Sequence, residues 1–294
     1  MTTFEGAMTA LATPFKGGQL DEAAYEGLIE YQLSNGISGL IPMGTTGEAV
    51  TMSAAERTRA MTVCVRVAKG RAKVIAGAGS NSTAECIEAV KGVRELGADG
   101  ALIVTPYYNK PTQGGLVEHY RAIARAHPGF PLVAYNVPSR TGVDLLPETV
   151  LKLVEMVPEV VALKEATGVM LRALDIYEKC GERITLLSGD DFTVQPFMAC
   201  GGKGVISVSS NIVPRQMSDL IAAARKGDHA TARRIQLELQ PLHRALFVES
   251  NPIPVKWALH LMGRFTPELR LPLTPMTETN AAKLKDEMKR LKLL

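Results

Sequence analysis

Eight short apolar stretches recur along the chain, separated for the most part by helical patterns. They are residues 6–12, 38–43, 73–78, 100–105, 131–136, 160–166, 185–188 and 204–208. The segments between them carry helix signals. Asp21 opens a helical pattern that stops at Asn35-Gly36. Ser53 with Glu56, and Ser82 with Glu85, have the spacing of capping boxes. Pro147 suits the first turn of a helix. Strands and helices alternating in this way predict an α/β fold, a (β/α)8 TIM barrel. A doubly wound sheet would more often open on a glycine-rich nucleotide turn, and Thr13-Pro14-Phe15-Lys16-Gly17-Gly18 is not one. From Pro214 onward only helical patterns follow, and no linker divides the chain. The expected organisation is a barrel over 1–211 that carries the active site, with barrel-closing and C-terminal helices over 212–294 packed on it.

Several function classes are disfavoured. A net charge of +3 over 294 residues, with no block of like charges, gives no basic surface for nucleic acid or an anionic membrane. No apolar run approaches the length of a membrane span. Met1–Glu5 lacks a basic region, and the apolar piece after it is too short for a signal peptide. Cys64, Cys86, Cys180 and Cys200 are scattered, with no CxxC pair, as in a reducing compartment. A cytoplasmic protein is expected. His119, His127, His229, His243 and His260 fall on or beside helical segments rather than at strand ends, so no metal is expected. The run 77–82 lacks the third glycine of a dinucleotide turn, and 201–204 is no P-loop. Asp190 and Asp191 after the seventh strand argue against a phosphate pocket there.

A barrel of this kind places its chemistry at the C-terminal ends of its strands. That rule separates the lysines. Lys73 and Lys203 begin strands, whereas Lys164 ends one, in Val160-Val161-Ala162-Leu163-Lys164-Glu165-Ala166. A desolvated lysine favours its neutral amine, a nucleophile that forms a Schiff base with a ketone. Taken alone it also reads, more simply, as a lysine snorkelling to solvent or pairing with Glu165. The same rule selects Thr45 and Thr46 after strand two, Tyr108 after strand four, Tyr135 at the end of strand five, and Arg140 in the next loop. Tyr135 could exchange protons if a cationic imine lowers its pKa, or simply fill the core. The glycine-flanked Thr45-Thr46 turn suits a small carboxylate and a hydroxyl relay, or is an ordinary loop. Arg140 could hold a carboxylate through two hydrogen bonds, or lie solvated.

Four motifs together resemble the dihydrodipicolinate synthase (4-hydroxy-tetrahydrodipicolinate synthase) family. They are Gly44-Thr45-Thr46-Gly47-Glu48, Thr105-Pro106-Tyr107-Tyr108-Asn109-Lys110-Pro111, Tyr135-Asn136-Val137-Pro138-Ser139-Arg140-Thr141-Gly142 and Leu163-Lys164-Glu165-Ala166. The resemblance covers essentially the whole chain. It implies a lyase that joins pyruvate to aspartate semialdehyde through a lysine Schiff base, with no cofactor. It assigns Lys164 to the Schiff base, Tyr135 to proton transfer, and Thr45 and Tyr108 to the rest of the relay. Tyr108 would then reach in from a neighbouring subunit of a homotetramer, a dimer of dimers. Thr46 would bind the pyruvate carboxylate, Ile206 would contact pyruvate, and Arg140 would receive the second substrate. Asn81, Glu85 and Tyr107 match a lysine-binding regulatory site. At Ala49, Ala54 and Arg57, however, feedback-sensitive relatives would carry a serine and two histidines, so weak or absent inhibition by lysine is expected. N-acetylneuraminate and sugar-acid aldolases would share the lysine and tyrosine but not Ser139-Arg140-Thr141-Gly142. A non-catalytic pyruvate-binding barrel would need no nucleophile.

Overall fold

In the computed structural model, which describes residues 4–294, eight parallel strands close into a barrel. The first three residues of the N-terminal stretch read above lie outside that description. The strands are β1 Gly6–Ala10, β2 Gly39–Ile41, β3 Lys73–Gly77, β4 Gly100–Val104, β5 Leu132–Asn136, β6 Val160–Glu165, β7 Thr185–Ser188 and β8 Gly204–Ser207. Each pairs with its neighbours in sequence, and β1 pairs with both β2 and β8 to complete the ring.

Alternation along the strands divides the core in two. Met8, Ile41, Ile75, Leu102, Val133, Ala162, Leu187 and Ile206 fill the barrel interior. Outward residues such as Leu40, Ala101, Leu132, Leu163 and Val205 pack under the helices. Between β5 and β6 the register slips: Leu132 faces Val160, but Val133 faces Ala162. The extra residue is Val161, a bulge.

The helices between the strands are α1 Glu22–Ser34, α2 Ala54–Ala68, α3 Thr83–Glu95, α4 Gln113–Ala126, α5 Pro147–Met156, α6 Met170–Cys180 and the short α7 Val194–Ala199. Ser53 and Glu56 form the full capping box on α2. On α3 only half of the box forms. Ser82 caps the Glu85 N–H, but the Glu85 carboxylate accepts instead from Ser80 Oγ at 2.7 Å. The Ser80 hydroxyl in turn accepts from the Ser82 N–H, which the box would have used.

Beyond β8 run α8 Pro214–Arg225, α9 His229–Leu246, α10 Ile253–Leu261 and α11 Glu278–Arg290. The expectation of helix throughout fails at 262–277, which is irregular. Pro267, Pro272 and Pro275 lie there, and each removes a backbone donor that a helix needs. A short ladder of Phe15–Lys16 against Gln19–Leu20 was also not expected.

Candidate active site

Lys164 and Glu165 are adjacent on β6, so the pleat sends them to opposite faces. Glu165 is turned outward and fully engaged. Its Oε2 accepts from Arg172 Nε at 2.8 Å and Asn136 Nδ2 at 3.1 Å, and its Oε1 accepts from the Thr167 N–H at 2.9 Å. Arg172 also donates to Asp144 at 3.0 Å. Lys164 points into the barrel and is 6% exposed. It therefore neither pairs with Glu165 nor reaches bulk solvent.

Burial is the main influence on the Lys164 ammonium and holds its pKa down at about 8. The Asp191 carboxylate opposes that shift, and the Arg140 guanidinium adds to it. At pH 7 roughly one molecule in ten then presents a neutral amine, against a few in ten thousand for an unperturbed lysine. The neutral amine is favoured by burial rather than by a neighbouring base.

Tyr135 stands directly beside it, in register across β5 and β6. Lys164 Nζ lies 4.3 Å from the centre of the tyrosine ring. Burial raises the phenol pKa, while the Arg140 charge and the Thr45 hydroxyl pull it down less strongly. The reading from sequence relied on a cationic imine to lower that pKa. Without such a charge, burial moves it the other way, and the phenol keeps its proton.

The loop after β2 folds into a tight turn. Gly47 N–H donates to Gly44 O and Glu48 N–H to Thr45 O, both at 3.1 Å, while Thr13 Oγ1 donates to Gly47 O at 2.7 Å. Met43 and Glu48 bracket the turn with left-handed φ angles of 60° and 53°. Neither is glycine, so the backbone is held in a sparsely populated region at both ends. Thr45 and Thr46 face a cavity of about 230 Å³ above Lys164 and Tyr135. A single helical turn, Pro138–Thr141, carries Arg140 to the rim, where its Nη2 donates to Asn251 O at 3.4 Å.

The loop after β7 closes the opposite side. A Cβ added to Gly189 would lie 2.9 Å from Lys164 Cε and 2.6 Å from Ala166 Cβ, so only glycine lets the backbone pass so near the lysine stem. Behind this wall Asp191 is buried, its Oδ2 accepting from the Val208 and Ser209 N–H groups at 2.9 Å each.

Other candidates lie elsewhere. Ile206 is in the inner core, and its neighbour Val208 lines the cavity instead. Tyr108 is 88% exposed, has a left-handed φ of 71°, and does not line the cavity. Asn81, Glu85 and Tyr107 are on the loops after β3 and β4 and on α3, outside the cavity. Asn81 O accepts there from Asn109 Nδ2 at 2.9 Å. Among the described residues no cluster of side chains suits a metal ion, and no helix is long and apolar enough to cross a membrane.

The model of the dihydrodipicolinate synthetase family matches residues 3–291. The chain belongs to this family. It is 52% identical over 283 residues to a 4-hydroxy-tetrahydrodipicolinate synthase of Nitratidesulfovibrio vulgaris strain Miyazaki F, covering 96% of this chain and 97% of that one. Among solved structures it resembles the chloride-inhibited dihydrodipicolinate synthase of Acinetobacter baumannii complexed with pyruvate. The TM-score is 0.97 and the identity 44%, covering 99% of this chain and all of the other. It also resembles the enzyme of Cyanidioschyzon merolae with lysine bound, with TM-score 0.95 and 42% identity over 99% of both chains.

For a dihydrodipicolinate synthetase family member, one part of the cavity wall was not evident from strand ends. Phe247 and Asn251 come from the connection between α9 and α10. Asn251 Nδ2 donates to Thr46 Oγ1 at 3.0 Å. Nothing in the alternating pattern points to a residue so far beyond the eighth strand. Gly189 and Asp191 could have been found, since they follow a strand end.

Proposed function

We propose that this chain condenses pyruvate with L-aspartate 4-semialdehyde, through a Schiff base on Lys164, to give 4-hydroxy-tetrahydrodipicolinate in lysine (diaminopimelate) biosynthesis. The observation that carries the reading is the buried, depressed Lys164 beside the protonated Tyr135 at the floor of a cavity rimmed by Thr45, Thr46 and Arg140. Lys164 Nζ attacks the ketone carbon. The resulting hydroxyl takes a proton, supplied by the Tyr135 phenol, and leaves as water. The imine, protonated, draws electrons from the C–H bond of the methyl group; loss of that proton leaves an enamine. The enamine carbon then attacks the aldehyde, whose oxygen takes up a proton, and the amino group of the aldehyde substrate attacks the re-formed imine carbon, closing the ring and expelling the Lys164 amine. Thr45 extends the proton path from Tyr135, Thr46 holds the pyruvate carboxylate, Ile206 supports the pyruvate site, and Arg140 receives the carboxylate of the aldehyde substrate. The chemistry asks for no cofactor, because the protonated imine is the electron sink.

Turnover with aspartate semialdehyde, compared with sugar-acid aldehydes, tests the substrate assignment. Preferred turnover of a sugar-acid aldehyde would move the chain to a sibling aldolase activity. The pH dependence follows from the lysine. Pyruvate capture needs the neutral amine, so the rate of imine formation is expected to rise with pH through about 8 and level off above it. A stopped-flow pH series measures this, and a rise that begins only near 10 would show the lysine to be unperturbed.

Tyr108 is read as completing the relay of a neighbouring subunit in a homotetramer, a dimer of dimers. Its exposure and left-handed backbone support a side chain presented outward. A cytoplasmic location accords with the biosynthetic role of the relatives. Lysine is read as a poor inhibitor. Asn81, Glu85 and Tyr107 offer polar groups for it, but Ala49 and Ala54 supply none, and Arg57 is itself a cation and disfavours a second one beside it. An inhibition curve should stay shallow through millimolar lysine; near-complete loss of activity below that range would reverse the assignment.

A further inference from the structure

Glu48 closes the Thr45-Thr46 turn and is 3% exposed. Both of its carboxylate oxygens are engaged by the C-terminal part of the chain. Oε1 accepts from Lys256 Nζ at 2.5 Å, and Oε2 accepts from the Arg270 N–H at 3.1 Å. Lys256 lies on α10, is completely buried, and sits 4.4 Å from the centre of the Phe15 ring. Just ahead of α10, Asn251 bonds to Thr46. One short segment, 251–256, therefore holds the turn at two points, residues 46 and 48, while the barrel holds it through Thr13.

A buried ion pair is a poor device for stability alone, because apolar side chains of similar volume often do as well or better. What it supplies is direction. A carboxylate obliged to face one ammonium fixes the side chain of residue 48 and, through it, a backbone already confined to φ 53°. Thr45 and Thr46 lie only three and two residues upstream, bonded into the same turn. We infer that the Lys256–Glu48 pair is a positioning device, by which the C-terminal helices set the placement of the Thr45 and Thr46 hydroxyls over the lysine. The inference rests on the reading of Thr45 and Thr46 given above.

The test separates stability from placement. Lys256→Met strands the Glu48 carboxylate and is expected to lower Tm by roughly 10 °C. Adding Glu48→Gln removes the second charge and leaves an oxygen for the Arg270 N–H, so most of the lost Tm should return. If the pair only stabilises, pyruvate kinetics return with it. If it positions the turn, KM for pyruvate stays raised by about tenfold or more and trapping of the pyruvate adduct by borohydride stays slow. KM for the aldehyde, held at Arg140, should change little. A thermally restored double variant with the parent's pyruvate KM and trapping rate overturns the inference. Should the double variant not fold, Lys256→Gln serves, since it keeps one neutral donor toward Glu48. A raised pyruvate KM in that variant supports the inference and an unchanged one overturns it. Absence of a trapped adduct in the parent protein would instead count against the Schiff-base reading itself.

Discussion

Borohydride added after pyruvate is expected to leave a reduced adduct on Lys164 and on no other lysine. Lys164→Met should lose that adduct and turnover together, with kcat falling on the order of 10⁴- to 10⁶-fold, as when a covalent nucleophile is removed. The choice of methionine makes the outcome readable. It is close to lysine in length, and it places no charge in a site where burial already pushes the ammonium toward its neutral form. The variant should therefore be at least as stable as the parent, and thermal unfolding will show it. Adduct found on another lysine, or turnover within tenfold of the parent, would remove Lys164 from the chemistry. The control lies in the geometry: Lys73 pairs with Asp99 at the opposite end of the barrel and should stay unlabelled.

Tyr135→Phe carries the second large effect. The ring remains beside Lys164 and the inner core keeps its volume, so Tm should hardly move. What is lost is the hydroxyl proposed above as the proton donor. General acid–base assistance contributes about 10²- to 10⁴-fold, and kcat should fall by that amount. Imine trapping should slow in the same variant, because the hydroxyl of the first adduct no longer leaves with help. If kcat falls while trapping keeps its parental rate, the phenol serves a later step and not dehydration.

The barrel was legible because each β/α unit states itself locally: an apolar run, a cap, a helix, and then the next run. Lys164 and Tyr135 were legible for the same reason. A strand end and a period of two are enough to place them, and the register that sets them side by side follows from adjacency in the sheet. Contacts between distant segments were harder to read. Thr46 owes its partner to Asn251, and Glu48 owes its partner to Lys256, each about 205 residues away. No periodicity encodes such pairs, because each depends on how the last helices return over the barrel mouth. The disengagement of Glu165 from Lys164 was similarly hidden. It depends on Arg172, Asn136 and Asp144 meeting on the outer face, and from sequence alone the adjacent carboxylate looked like a natural partner. The irregular stretch after α10 departs from the helix expected beyond Pro214, because Pro267, Pro272 and Pro275 each remove a backbone donor.

The bulge in β6 gives that strand something like a reading frame. Faces alternate one by one, so a single residue inserted between Ala162 and Lys164 would exchange the sides of everything after it. The amine would then meet Arg172 on the outer surface, and the barrel would receive a carboxylate in its place. Val161 is the exception. The register has already absorbed it: Val160 and Ala162 face consecutive residues of β5 although they are two apart in the chain. Removing Val161 would leave Leu163 outside and Lys164 inside. Length changes in this strand are therefore not equivalent: one position can lose a residue in phase, and its neighbours cannot.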